Sequence, residues 1–446
     1  MSSEKDQQRT GSLPDRPRLR RVESFPVSQA DGQTLFALRD PEGFSETVAL
    51  PYQAAVVASL LDGSRTIGEI RADFEGRLGH TVSLADVEKV VRDLDERDYL
   101  DTERFRNRWK RAIELYLNAR VRPAAHAGRA YPADAAALRK QIAELLANDQ
   151  NQGTAPREET KADCTAVAGA PAEAGARGTL CGVLSPHVDL RRGGVSIAWA
   201  CQKLLDETDA DLFVVLGTAH NPMRQLFAAT KKDFATPLGN VHTDRKFVAR
   251  LAARMSAGQR GDDLNLMADE LAHRQEHSIE FPIVLLQSLL GGKRSFQIVP
   301  ILVGSFHEFV TDQTSPKDDP RVATLIAALR ATVAEHEGRV CYLASGDLAH
   351  VGQRFGDREF LDADRLAEQS RHDRELLNAA RDADAEQFFR RIAASGDRDR
   401  VCGLSPTYVM LEAAQPTQGE VLRYDQAVEL DGTGCVSFAS AAFYRD

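Results

Sequence analysis

Three histidines, His187, His220 and His350, each lie within a few residues of the end of an apolar run. Parallel strands end at one edge of a sheet, and sites in such sheets lie at the carboxyl ends of the strands. A neutral imidazole is both a proton acceptor and a common metal ligand. Any one of these histidines alone is typical of a hydrogen-bonded loop residue. Together they predict a shared polar or metal site.

Cys402 joins this group for a different reason. An apolar helical pattern follows it, and Ser405 and Pro406 are suited to the N-cap and first position of that helix. A thiol beside a helix N-terminus ionises more readily, and the thiolate is the form that binds metals. The remaining cysteines form no C-x-x-C pair and are typical of buried, unreactive thiols. They are Cys164, Cys181, Cys201, Cys341 and Cys435.

The elements that would position these side chains are short apolar strands. The runs at 180–184, 212–217, 296–303 and 340–344 alternate with helical patterns. Continuous apolar runs separated by helices are typical of a mostly parallel sheet covered on both faces. The sequence therefore predicts an α/β fold with the site at the carboxyl ends of its strands.

Composition limits the function classes. The chain has 446 residues, of which 43% are hydrophobic and 27% charged, and a net charge of −10. This size allows two or three domains, and the negative charge makes nucleic acid an unexpected partner. No apolar run is long enough to cross a membrane, and the cysteines form no disulfide framework. We therefore expect a cytoplasmic protein that does not associate with membranes.

The N-terminal part has its own organisation. Residues 1–22 are polar, end in a basic run and show no periodicity, which predicts a polar tail. Residues 23–101 predict a small α+β, winged-helix-like domain, with a Thr-x-x-Glu capping box that begins at Thr66 and a helix capped by Ser83. Residues 102–123 predict an amphipathic connecting helix with a basic face.

A composition shift marks residues 148–179, which contain no Leu, Ile, Phe, Tyr or Trp. Such a segment cannot bury a core, so it predicts a flexible insertion.

Seven motifs occur in a fixed order in the rest of the chain. They are AGRAYP at 127–132, PH at 186–187, GTAH at 217–220, TPLG at 236–239 with Asp244, EHSIE at 276–280, SGDLAHVG at 345–352 and CG at 402–403. In this order they resemble the Memo family, also called AmmeMemoRadiSam system protein B, over residues 124–446. The family is similar in fold to the class III extradiol dioxygenases. The resemblance implies an αβα sandwich with a mostly parallel central sheet around non-haem iron.

The same resemblance implies roles for individual residues. The residues concerned are His187, His220 and Cys402 as metal ligands and His350, Asp347 and His277 as catalytic residues. Two imidazoles and a thiolate suit Fe(II) best and also Zn(II). His350, steadied by Asp347, would be the general acid or base, and His277 would stabilise developing negative charge.

The resemblance also implies partners. The family name implies a radical-SAM protein and an AMMECR-type protein of the same system. Residues 23–101 resemble PqqD-like domains, which implies a peptide ligand. Two functions therefore stay open: a non-haem iron oxidoreductase of the extradiol dioxygenase type, and a non-catalytic adaptor that binds a peptide or partner in the same cleft.

A third function follows from a different pair of histidines. His273 and His277 fit the His-x-x-Glu-His motif of inverted zinc peptidases, with both imidazoles on one helical face. This interpretation leaves the histidines at the strand ends unused.

Overall fold

The computed structural model describes most of the chain in two compact units, Met1–Asn118 and Ala119–Asp446. The described residues are 13–28, 33–151, 178–257, 264–429 and 431–446. Of the insertion expected at 148–179, residues 152–177 lie outside the described residues. A helix continues to Asn151 before this segment, and a strand begins at Thr179 after it.

The first unit combines an antiparallel sheet with helices. Its strands, in their order across the sheet, are β1 (Glu23–Ser28), β2 (Thr34–Arg39) and β3 (Val48–Leu50). Its helices are α1 (Tyr52–Ser59), α2 (Ile67–Leu78), α3 (Leu84–Glu96) and α4 (Glu103–Asn118). The capping box at Thr66 is confirmed, with the Thr66 amide donating to Glu69 Oε2 at 2.7 Å. Ser83 caps α3 by accepting from the Asp86 amide at 3.1 Å.

Within the described part of the expected tail, residues 13–22, Arg20 has buried partners. The Arg20 side chain is only 7% exposed and pairs with the fully buried Asp40 carboxylate at 2.9 Å. It also donates to the Asp98 carbonyl at 2.6 Å and lies 3.9 Å from the Phe105 ring centroid. A buried charge is tolerated when it is paired and hydrogen-bonded. The composition of the basic run gives no sign of these buried partners.

The second unit contains the remaining elements. Its strands are β4 (Val121–Arg122), β5 (Thr179–Ser185), β6 (Leu212–Thr218), β7 (Phe227–Ala229), β8 (Asp233–Thr236), β9 (Gly239–Thr243), β10 (Gln297–Val303), β11 (Val340–Ser345), β12 (His350–Val351), β13 (Gln418–Val428) and β14 (Cys435–Arg445). Its α-helices are α5 (Ala135–Asn151), α6 (Leu190–Glu207), α7 (Arg245–Ser256), α8 (Glu280–Leu290), α9 (His307–Asp312), α10 (Pro320–Ala334), α11 (Ala363–Arg381), α12 (Ala385–Ala394) and α13 (Leu404–Ala414).

These strands form one large mixed sheet. The order across it is β12, β14, β5, β11, β6, β10, β9, β8, β4, with β13 beside β14 and β7 beside β10. The neighbours β5, β11, β6 and β10 run parallel to one another. β14 is antiparallel to β5, and β13 is antiparallel to β14. The apolar runs indicated the parallel strands and gave no sign of the antiparallel ones.

Helices cover both faces of this sheet. Along β6, Val214 packs into a core shared with α7, α10 and α13, whereas Val215 packs into a second core shared with α6 and α8. Alternating side chains of a strand point to opposite faces, so the two cores lie on opposite sides of the sheet. The predicted α/β class is confirmed.

Among the described residues, no helix combines the length and the apolar character needed to cross a bilayer.

Candidate metal centre

Aligned strand ends position the site. Ser185, the last residue of β5, is in register with Ser345, the last residue of β11, and β11 is in register with β6 on its other side. His187 and Asp347 each follow a strand end by two residues, and His220 follows the end of β6 by two. The connections after three neighbouring strands therefore bring these side chains to one edge.

His187 is the centre of the site. Its side chain is 1% exposed, and its Nε2 lies 3.4 Å from Cys402 Sγ and 3.7 Å from Asp347 Oδ2. Its Nδ1 lies 3.2 Å from Ser345 Oγ. The Asp347 carboxylate also accepts the His187 main-chain N–H at 3.0 Å, so it fixes the backbone of this loop. The structure therefore brings His187 and Cys402 together.

The helix after Cys402 begins earlier than predicted. Gly403 is the N-cap of α13 and Leu404 is its first residue, so neither Ser405 nor Pro406 has its predicted position. The Gly403 amide donates to the Asp347 carbonyl at 2.8 Å. Because this external carbonyl anchors the first turn, the helix begins without a side-chain cap. Cys402 immediately precedes the N-cap residue of this helix.

Cys402 is held by close backbone packing. A Cβ added to Gly346 would lie 2.2 Å from the Gly403 Cα, so both positions require glycine. The Asp347 amide donates to Cys402 Sγ at 3.3 Å, and Thr218 Oγ1 donates to the Cys402 carbonyl at 3.0 Å. The thiol is thus oriented by two strand ends at once.

His220 is oriented by Glu276, whose side chain is 3% exposed. The Glu276 carboxylate accepts the main-chain N–H of His220 at 2.9 Å and lies 2.9 Å from His220 Nδ1. It also accepts the amides of His277 and Ser278, at 2.8 Å and 3.0 Å. A carboxylate can only accept, so His220 Nδ1 carries a hydrogen and Nε2 is the nitrogen that could bind a metal.

His277 stacks on His220, with ring centroids 4.5 Å apart and an interplanar angle of 24°. The ligand atoms of His187, His220 and His277 all lie within 4.8 Å of one another, and so do those of His187, Asp347 and Cys402. His187 belongs to both groups. The predicted ligand set of His187, His220 and Cys402 therefore spans the two groups.

His350 lies at the edge of the site, on β12. Its Nδ1 donates to the Arg400 carbonyl at 3.0 Å, and its ring packs against Phe355 with centroids 5.3 Å apart. It is in neither group of ligand atoms found among the described residues. The Asp347 carboxylate hydrogen-bonds to the backbone of His187 and Val188, so it acts on His350 through its charge, and the Arg400 carbonyl fixes the ring.

The prediction that His273 and His277 lie on one face of a helix is wrong. A 3-10 helix ends at His273, α8 begins at Glu280, and His277 lies between them. In an α-helix the His273 carbonyl would accept the His277 amide, but it accepts Arg122 Nε. His273 is buried with Nε2 3.2 Å from the Ala228 carbonyl, and it is in neither ligand group. The structure therefore removes the basis for the inverted zinc-peptidase motif.

Burial and neighbouring charges shift the pKa of each imidazole. Burial holds the pKa of His187 well below its usual range, with His220 and His277 acting in the same direction. Burial lowers the pKa of His350 as well. At His220 burial opposes the charged form, but hydrogen bonds to Cys402 and Glu276 outweigh it and raise the pKa well above its usual value.

Burial and neighbouring histidines also shift the pKa values of the acidic groups in the site. Burial raises the pKa of Asp347 and of the Cys402 thiol, although His220 lowers the latter in part. Burial also opposes the charge on Glu276, but His220 and His277 hold its pKa well below the usual range. Glu276 therefore favours a positive charge beside it, which a proton or a metal ion can supply.

Sequence reasoning gave no role to three residues that shape this site. Glu276 and Ser345 lie inside motifs but are not adjacent to a strand-end histidine in sequence. Arg122 precedes all seven motifs, and its fully buried guanidinium binds the Glu276 carbonyl at 2.7 Å. Glu276 and Ser345 could have been found because they lie in the same motifs as candidate site residues. No motif contains Arg122, so the sequence gave no indication of its role.

The donor atoms fit a transition metal. Imidazole nitrogen, thiolate sulfur and carboxylate oxygen are the ligand types of Fe(II) and Zn(II) sites. Both His187 and His220 have a second ring nitrogen engaged by a neighbouring oxygen, as metal-binding histidines usually do. The geometry is therefore consistent with a metal site and does not by itself distinguish between the two metals.

Comparison with known proteins agrees with the motifs. A family model described as Memo-like protein matches residues 122–442. A MEMO1 family protein of Aquifex aeolicus (strain VF5) is 29% identical over 412 residues, which cover 92% of this chain and 96% of that protein. One from Methanopyrus kandleri is 27% identical over 331 residues, covering 73% and 99% respectively. Because the family model covers well over half of the sequence, the chain belongs to the Memo-like protein family.

Proposed function

We propose that this protein binds Fe(II) through His187, His220 and Cys402 and acts as a non-haem iron oxidoreductase of the extradiol dioxygenase type. The observation that carries the proposal is the position of His187. Its Nε2 is 3.4 Å from Cys402 Sγ, and its ring is 5.0 Å from that of His220, centroid to centroid. One buried imidazole thus joins a thiol and a second imidazole at the carboxyl edge of the sheet.

The metal would supply a Lewis acid that binds substrate oxygens and can exchange electrons. The protein's own groups supply the proton chemistry. His350 Nδ1 is committed to the Arg400 carbonyl, so Nε2 holds the lone pair and is the atom that takes a proton. His277, 31% exposed, is the more accessible neighbour of the buried His187 and can donate to a developing negative charge.

Metal analysis of the anaerobically purified full chain tests the ligand set. We expect near-stoichiometric iron in the wild type and loss of most metal in His187→Ala, His220→Ala and Cys402→Ala. Matched controls are His242→Ala, whose side chain is 65% exposed, and Cys201→Ala, which removes a buried thiol in α6. Full metal content in Cys402→Ala would contradict ligation by that thiol.

Oxygen consumption tests the activity. Iron-loaded protein should consume O₂ when catecholic substrates are added, and His350→Ala should keep its iron but lose this consumption. Bound metal without turnover for any substrate would favour the alternative function, a non-catalytic adaptor that binds a peptide or partner in the same cleft. Zinc in place of iron in freshly purified protein would also argue against an oxidoreductase.

We also propose that the partners are a radical-SAM protein and an AMMECR-type protein, with a peptide ligand for the first unit. Family membership supports this proposal, as does the α+β composition of the first unit. Co-elution of the full chain with each purified partner would support it. Failure to bind either one at micromolar concentrations would contradict it.

A further inference from the structure

Ser345 contacts His187 from the side opposite to the metal centre. It is the last residue of β11 and is fully buried, and its Oγ lies 3.2 Å from His187 Nδ1. Neighbouring strands β5 and β11 are in register at this end, where Ser185 pairs with Ser345. The hydroxyl is therefore placed by the sheet itself, and not by a mobile loop.

The hydroxyl hydrogen of Ser345 already forms a hydrogen bond with another group. Ser345 Oγ donates to the main-chain carbonyl of Ser278. A carbonyl carries no hydrogen, so the hydrogen in that bond must come from Ser345. A serine hydroxyl has one hydrogen and two lone pairs, so Oγ can only accept from His187. The hydrogen between Oγ and His187 must therefore lie on Nδ1.

We infer that Ser345 is a positioning residue that fixes the proton of neutral His187 on Nδ1 and so leaves the Nε2 lone pair facing Cys402 and Asp347. This inference rests on the proposed function, because it concerns a ligand of the proposed metal centre. The other tautomer would place a hydrogen on Nε2, 3.4 Å from Cys402 Sγ, where a metal needs a lone pair.

The turn at residues 276–278 controls both ligand imidazoles. Its Ser278 carbonyl takes the Ser345 hydrogen, and its Glu276 carboxylate takes the Nδ1 hydrogen of His220. The turn is itself fixed, because Ser278 Oγ donates to the Thr218 carbonyl at 2.7 Å. One turn therefore presents Nε2 of both histidines to the same space.

The test is a direct measurement of the tautomer. Long-range ¹H–¹⁵N spectra of histidine-labelled, metal-free full chain show which ring nitrogen of His187 is protonated, and loss of the signal in His187→Asn assigns it. We expect the Nδ1–H form in the wild type and a mixture or the Nε2–H form in Ser345→Ala. An Nε2–H form in the wild type would overturn the inference without any variant.

Cobalt binding provides the second readout. We expect Ser345→Ala to weaken Co(II) binding by about 10–100-fold, as is typical when the partner of a metal-binding histidine is removed. Ser440→Ala removes a buried hydroxyl elsewhere in the sheet and is the matched control. It should keep the wild-type tautomer and affinity.

The outcomes separate the inference from the proposed function. Unchanged tautomer and affinity in Ser345→Ala, or an equal loss in Ser440→Ala, would overturn the role of Ser345. If the wild type binds neither Fe(II) nor Co(II), the proposed metal site fails, and the spectra of the metal-free protein still decide whether Ser345 sets the tautomer.

Discussion

Replacing Arg122 by methionine tests how much the buried Arg122 guanidinium stabilises the segment that carries Glu276. Arg122 and Glu280 form an ion pair in which both side chains are fully buried. The guanidinium also donates to the carbonyls of His273 and Glu276. Methionine fills similar space but leaves these acceptors without a donor. We therefore expect Arg122→Met to destabilise the second unit.

The magnitude follows from the charge that remains. Removing one partner of a buried ion pair costs roughly 3–5 kcal/mol. Glu280 keeps the amides of Ala125 and His126, at 3.1 Å and 2.9 Å, and the hydroxyl of Tyr131. These donors place the expected loss near the lower end, about 3 kcal/mol. Glu280→Gln in the Arg122→Met background removes the orphaned charge, so the double variant should lose about 1–3 kcal/mol less than the sum of the single variants.

The two tryptophans separate the units in a urea titration. Trp109 lies in α4 of the first unit and Trp199 in α6 of the second, so a Trp109→Phe background leaves fluorescence that reports on the second unit. The exposed ion pair of Arg339 and Asp209 provides a matched control. A double-mutant cycle on this pair should give a coupling free energy near zero. Additive losses for Arg122→Met and Glu280→Gln would refute the reasoning, as would a loss below about 1 kcal/mol for Arg122→Met.

Three further perturbations have defined outcomes. Glu276→Gln should weaken metal binding by about 10–100-fold in a chelator competition, because it removes the charge that orients His220. Burial raises the pKa of Asp373 to about 6. The free energy of unfolding therefore falls as the pH rises from about 4 to above 6, because the folded protein holds a proton on this carboxyl group that the unfolded chain has already released. Asp373→Asn should remove this loss, gaining up to about 3 kcal/mol over the wild type at pH 7 in urea titrations that follow Trp199. Ser83→Ala should lower the stability of the first unit by about 1 kcal/mol in urea titrations that follow Trp109, because it removes the cap of α3.

The sequence predicted the parts of the fold and site that follow from local pattern. Apolar runs gave the central strands, and their alternation with helices gave the α/β class. The capping residues Thr66 and Ser83 gave the starts of two helices. The placement of His187 and His220 after strand ends predicted that they would meet, because neighbouring parallel strands end at one edge.

What the sequence did not reveal depends on partners distant in the chain. The start of α13 was misplaced because the Asp347 carbonyl, far away in sequence, anchors the Gly403 amide. The basic run at the N-terminus gave no indication that Arg20 forms an ion pair with the buried Asp40. Neither contact leaves a mark on the periodicity or composition of the segment that makes it.

The turn that carries Glu276 and His277 shows why such distant contacts matter for the site. Helical continuation from His273 is prevented because Arg122 takes the His273 carbonyl and Glu276 takes the His277 amide. The resulting irregular backbone turns the Glu276 carboxylate toward His220 and the Ser278 carbonyl toward Ser345. The orientation of the His187 and His220 imidazoles therefore depends on a buried arginine on β4, outside all seven sequence motifs.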